Sequence, residues 1–146
     1  MPKATITYLD GMAFEAVGES GHRLVMDSAP DVGGANRGFR PTELTAVSLA
    51  GCTAMDVISI LRKMRCTVER FRVRVDAERR DAHPRVFEEI MLVFELDGDC
   101  RPEQFERAVM LSAERYCSVS AMLEKTAAIH RTLILNGAPV SPSVKP

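Results

Sequence analysis

The sequence predicts an α+β domain with antiparallel sheets around a long buried helix, in the order βββ-α-ββ-α-α-β. Three observations predict it. Residues 44–55 carry no charge, and a helix that is apolar or small on every face is one buried on every side. Phe71, Val73, Val75 and Ala77 alternate with Arg72, Arg74, Asp76 and Glu78, the period of a half-buried strand. Strands come in runs separated by single helices, which favours α+β over a doubly wound parallel sheet.

The chain of 146 residues suits one domain, expected over residues 1–136, with a disordered tail over 137–146. Residues 4–9 and 12–18 alternate loosely around Asp10-Gly11, a favourable two-residue hairpin turn. Ser20-Gly21 makes a second turn before a third strand at 22–27. A loop over 29–40 follows, with Pro30, Gly33, Gly34 and Gly38. Pro41 suits a first helical position, and Glu43 favours the positive helix start. Charges return at Asp56 and then at Arg62, Lys63 and Arg65, with Cys52 in mid-helix beside Gly51. After the 71–78 strand, residues 85–96 form its neighbour, closed by Asp97-Gly98. Pro102 opens a helix to about residue 116, with Cys117 at its end. Ser118 or Ser120 can cap a short third helix, and 128–135 reads as the last strand.

Covering the uncharged helix takes more than one small sheet and one further helix. A second copy of the chain would complete its burial, with Gly51, Ala50 and Ala54 allowing close approach. The expectation is an obligate homodimer.

Composition narrows the function classes. A net charge of −1 gives no long-range field for nucleic acid or anionic lipid. Arg70, Arg72, Arg74, Arg79 and Arg80 are offset by nearby acids and read as a solvated strand face. The start of the chain has no run of signal-peptide length, and no uninterrupted apolar run reaches membrane-helix length. A cytoplasmic location is expected, where thiols are kept reduced. The cysteines Cys52, Cys66, Cys100 and Cys117 show neither CxxC spacing nor a histidine at zinc spacing, so no metal site is expected. A disulfide there would be transient and catalytic more readily than structural. The glycines of 33–38 do not make a nucleotide loop. His22, His83 and His130 have no spacing that makes a dyad with Cys52, and the eight methionines read as core filler.

Free cysteine is often simply buried, and Cys66 and Cys100 read that way. Cys52 reads either as a core residue or as a nucleophile. A nucleophile needs a thiolate, and a free thiol with a pKa of about 8.5 is mostly protonated at neutral pH. The helix dipole fades before Cys52, and Asp56, one turn later, works against the thiolate if it shares that face. Arg37 and Arg40, just before the helix, are the cations that could fold in.

Arg40-Pro41-Thr42-Glu43-Leu44 running into Ser48-Leu49-Ala50-Gly51-Cys52, with Tyr116-Cys117-Ser118-Val119-Ser120 downstream, resembles the OsmC/Ohr family of hydroperoxide reductases. The element order fits that family over nearly the whole chain, and the Arg-Pro-x-Glu-Leu form looks like its YhfA-type branch. The resemblance implies an intertwined homodimer with active sites at the interface. It implies that Cys52 is peroxidatic and Cys117 resolves it as a disulfide. It also implies an external dithiol reductant, such as a lipoyl group, and no metal, flavin or nucleotide cofactor. Its acid would be Glu43, one residue after the position where the best-characterised members carry theirs. Glu43 stands on the opposite helix face from Cys52, where it could serve the site of a partner subunit or stabilise the helix start. Arg40 and Arg37 are the nearest candidates for its arginine. The rival from another class is a non-catalytic small-molecule-binding or redox-sensing dimer of the same fold.

Overall fold

The computed structural model describes residues 3–140. In chain order it has β1 (Ala4–Asp10), β2 (Ala13–Gly18), β3 (Arg23–Met26), a 3-10 turn (Pro30–Val32), α1 (Pro41–Lys63), β4 (Thr67–Arg79) and β5 (Phe87–Asp99). There follow α2 (Pro102–Leu111), a π-helical segment (Ser112–Tyr116), α3 (Ser118–Leu123), β6 (Ala128–Leu135) and β7 (Ala138–Pro139). This is the expected α+β order with a two-residue strand added. That strand lies at the start of the stretch expected to be a disordered tail: Ala138 and Pro139 pair with Leu135 and Ile134. The rest of that tail, 141–146, lies outside the described residues. The chain divides into two compact units, the first ending at Thr45 and the second starting at Ala46.

In the first unit β1, β2 and β3 form an antiparallel meander. The loop after it is organised by the buried carboxylate of Asp27, which accepts the backbone N–H groups of Ser28 (2.7 Å), Ala35 (3.2 Å) and Arg37 (3.1 Å). The Arg37 amide does most to hold this carboxyl below its ordinary pKa, against the opposing effect of burial. Glycine is required where the loop folds back: a Cβ on Gly38 would sit 1.9 Å from the Val25 carbonyl oxygen.

The second unit is built on the sheet β4-β5-β6-β7. Here the antiparallel expectation needs correcting. β4 and β5 form a long antiparallel hairpin, but β6 runs parallel to β5. Parallel neighbours cannot be joined by a tight turn, and α2, the π segment and α3 make the crossover. The sheet buries Ile90, Leu92, Phe94 and Leu96 from β5 with Ile129, Leu133 and Leu135 from β6. Phe105, Ala108 and Val109 of α2 join this core, Phe105 meeting Phe71 edge-on at 6.4 Å between centroids.

From α1 the chain buries Leu49, Thr53, Val57 and Leu61, one stripe at a spacing of four. Val47 and Met55 on its other sides are 44% and 73% exposed, so the second unit buries one face of a helix expected to be buried all round. By length and composition alone α1 is also apolar enough to cross a bilayer. Leu49, Val57 and Leu61 of its buried stripe belong to the core cluster.

α1 closes with Arg65 in the left-handed region (φ 63°) and the Cys66 N–H on the Leu61 carbonyl, a Schellman-type stop. Cys66 is thereby placed beside Cys100, which directly follows β5. The two form a disulfide, with Cα atoms 4.9 Å apart, where the sequence reading left both as plain core cysteines. The bond closes a loop of sequence separation 34, worth about 4 kcal/mol in lost denatured-state entropy. Cys100→Ser is expected to lower the unfolding free energy of the oxidised protein by about 3–4 kcal/mol in urea titrations. A midpoint equal to that of the oxidised parent would contradict it.

Candidate functional site

Cys52 and Cys117, the free cysteines among the described residues, meet in the second unit. α1 carries Cys52 half-buried on the same face as Asp56, four residues on. The crossover carries Cys117 to them. α2 gives way to the π-helical segment, a distortion frequent at functional sites, and the Cys117 N–H closes it on the Ser112 carbonyl at 2.9 Å. Cys117 then leaves the helical region (φ −75°, ψ 102°) and becomes the N-cap of α3. The cap was expected from Ser118 or Ser120. The thiol takes that place, accepting the Ser120 N–H at 3.3 Å.

The Cys52 and Cys117 sulfurs and an Asp56 carboxylate oxygen all lie within 4.8 Å of one another. Asp56 is oriented by the Ser112 hydroxyl, which donates to its Oδ2 at 3.0 Å and lies 3.2 Å from the Thr53 hydroxyl. Asp56 thus shares the face of Cys52.

Cys117 is 2% exposed. Burial pushes its thiol above the ordinary cysteine value, and contact with Cys52 adds to the rise. The Ser120 N–H and the Thr53 hydroxyl pull the other way. Beyond Ser120 stands Arg131, which sequence reading missed. Its Nη2 donates to Ser120 Oγ at 2.8 Å, and the residue is only 5% exposed. The Arg131 Nε is buried with no hydrogen-bond partner among the described residues, an omission that costs about 1–3 kcal/mol. Burial lowers the Arg131 pKa, while Cys117 and Glu124 support its charge. One signal was readable: along β6 the inward positions are Ile129, Arg131, Leu133 and Leu135, a single arginine in an apolar row.

The other predicted residues have their own partners in the first unit. Arg37 grips Asp10 with both terminal nitrogens (2.8 and 3.2 Å), and its Nε lies 3.7 Å from Asp27. The Arg40 Nη1 donates to Asn36 Oδ1 at 2.7 Å and to the Gly38 carbonyl at 3.0 Å. The Glu43 carboxylate accepts the Arg40 backbone N–H at 3.1 Å, as an acid in the first turn does when it closes a helix start.

The family model described as OsmC-like protein matches residues 33–131. The chain belongs to the OsmC family. It is 39% identical over 124 residues to Protein YhfA of Escherichia coli K12, a match covering 84% of this chain and 90% of that protein. Among solved structures, a hypothetical protein from Aquifex aeolicus is 27% identical with a TM-score of 0.83, over 92% of this chain and 96% of the other. An organic hydroperoxide resistance protein OsmC from Legionella pneumophila shares the fold at 15% identity, TM-score 0.71, over 92% and 96% of the two chains. The family match spans both Cys52 and Cys117.

Because the Cys117 pKa is raised on folding, its contribution to stability is fully present below the unfolded thiol value of about 8.5 and is lost as pH rises through the folded value. Urea unfolding of the protein with Cys52 and Cys117 reduced should therefore weaken with rising pH above that point. Cys117→Ser should flatten this dependence; an identical slope in the variant would contradict the raised value.

Proposed function

We propose that this OsmC-family protein is a thiol-dependent peroxidase that reduces organic hydroperoxides to alcohols through Cys52 and Cys117. The observation that carries the reading is the meeting of these two free thiols in one cluster, 65 positions apart in sequence. Fold neighbours named for organic hydroperoxide resistance support it.

The division of labour follows from burial. Cys52, the more exposed of the two, attacks as thiolate on the terminal peroxide oxygen. The S–O bond forms, the O–O bond breaks, and the alkoxide takes a proton to leave as alcohol. Cys52 becomes a sulfenic acid. Cys117, buried and held as thiol, then attacks the Cys52 sulfur. Its proton leaves with the hydroxyl as water, and the disulfide forms. An external dithiol returns both sulfurs to thiols and is itself oxidised to a disulfide.

The working unit in this reading is a homodimer. α1 buries one stripe within its own chain and leaves Val47 and Met55 exposed, the apolar cover a second copy would supply. Leu49 is buried in the core and Met55 points outward, so an apolar wall facing the peroxide would come from that second copy as well.

Steady-state peroxidase assays with a dithiol test the proposal. Cys52→Ser should abolish turnover with cumene hydroperoxide. Cys117→Ser should stop after one event, leaving a Cys52 sulfenic acid that dimedone traps, and the parent should prefer cumene hydroperoxide to hydrogen peroxide. Dithiol-driven turnover surviving in Cys52→Ser would sink the assignment.

A further inference from the structure

The buried arginine of β6 has no role in the two-thiol reaction itself. Its surroundings suggest one. Arg131 replaces an apolar residue in the inward row of its strand, between Ile129 and Leu133. A guanidinium removed from water is costly unless it answers a negative charge. Within the resting cluster the Arg131 side chain donates from Nη2 to Ser120 Oγ at 2.8 Å, and its Nε has no hydrogen-bond partner among the described residues. The same Ser120 gives its backbone N–H to the Cys117 sulfur at 3.3 Å. Ser120 itself is fully buried. A single residue therefore joins the cation to the thiol, in a place where low dielectric strengthens every charge interaction.

We propose that Arg131 is a positioning residue for disulfide formation, a buried cation that stabilises the charge arising on Cys117 when its proton leaves. This rests on the peroxidase reading for its place in turnover, but the effect on Cys117 exists whatever oxidises Cys52. The Cys117 thiol loses its proton, and the electron pair left on sulfur forms the bond to Cys52 as the hydroxyl leaves with the proton as water. Until then Cys117 is neutral, and the cation is underused. Its unpaired Nε and its link through Ser120 to the buried thiol both fit a charge that appears only during the reaction.

Other groups act on the same sulfur and set what the cation must overcome. Cys52 and Asp56 face it from α1, and contact with Cys52 adds to the rise of the Cys117 pKa. Glu124 acts on Arg131 itself. With Lys125, Glu124 and Arg131 line an open cleft of about 430 Å³. The exposed Glu124 draws on the guanidinium's charge from outside, so the carboxylate competes with the thiolate for it. Removing the acid should strengthen the effect on Cys117.

The test titrates one thiol. In a Cys52→Ser background with the Cys66–Cys100 bond retained, Cys117 is the remaining free cysteine, and its ionisation is followed by thiolate ultraviolet absorbance and by the pH profile of alkylation by iodoacetamide. Arg131→Met should raise the midpoint by about one unit or more, and Arg131→Lys should restore most of the shift. Glu124→Gln, a surface change that leaves the core untouched, should lower the midpoint, which keeps the proposal testable if Arg131→Met does not fold. Midpoints unmoved in Glu124→Gln and in whichever arginine variant folds would overturn it. In the otherwise unaltered protein, Arg131→Met should form the Cys52 sulfenic acid at the parental rate but close the disulfide about tenfold more slowly at neutral pH, one unit of pKa being a factor of ten in thiolate. Parental closure with a parental pH profile would also overturn the proposal. Failure of the parent to form any sulfenic acid would instead refute the peroxidase reading, with the midpoint shifts still deciding the role of Arg131.

Discussion

The parallel pairing of β5 with β6 is the constraint from which the site follows. Two parallel neighbours need a crossover, and this chain builds it from α2, the π-helical segment and α3. The crossover has to lie over the face of the sheet that α1 also covers, because that is where Ile90, Leu92, Phe94 and Leu96 wait to be buried. The core therefore fixes Cys52 through the stripe Leu49, Thr53, Val57 and Leu61, and fixes Cys117 through Phe105, Ala108 and Val109. The hydrophobic demand of one sheet face brings together thiols that the sequence keeps far apart.

Within that frame the two thiols are unequally buried. Cys117 is sealed in, capped by the Ser120 N–H and disfavoured as an anion; Cys52 sits half-open on its helix beside a carboxylate. In the proposed reaction the more exposed thiol meets the substrate and the buried one resolves it. Polar groups inside the core are tolerated because they are chained: Asp56 to Ser112, Ser112 to Thr53, and Ser120 to Arg131. An unmade bond in such a chain is expensive, which is why the unpaired Arg131 Nε stands out. The Cys66–Cys100 bond secures the other end of the scaffold, tying the stop of α1 to the end of β5 just before α2 begins.

Much of this could be read from the sequence where one physical rule dominates. The alternation around Phe71 to Glu78 and the uncharged run before Asp56 placed β4 and α1 to within a few residues. Cys52 and Cys117 emerged as a pair through family resemblance, since nothing local links residues so far apart. What escaped depends on tertiary pairing. The direction of β6 relative to β5 leaves no trace in either strand's own pattern. Cys66 and Cys100 each sit at an element end, and their meeting is a product of the hairpin's register, in which Thr67 pairs with Asp99. Arg131 was hidden for a different reason. A charged residue in a strand is ordinarily taken to face water, and its place in the apolar row of Ile129 and Leu133 was the one sign that it faces inward. Arg37 and Arg40 were chosen for proximity in sequence and Glu43 through the family resemblance, and the side-chain bonds that hold them at rest, to Asp10, Asn36 and the Arg40 backbone, could not be foreseen from either.

The central claim is that Cys52 and Cys117 work as one redox pair, and disulfide mapping tests it most directly. The protein, with Cys52 and Cys117 reduced, is treated with a single equivalent of cumene hydroperoxide, quenched by alkylation and mapped by mass spectrometry. The account predicts rapid formation of a Cys52–Cys117 disulfide, distinct from the Cys66–Cys100 bond already in place. Cys52 and Cys117 left unlinked, or oxidised slowly and indiscriminately, would contradict it.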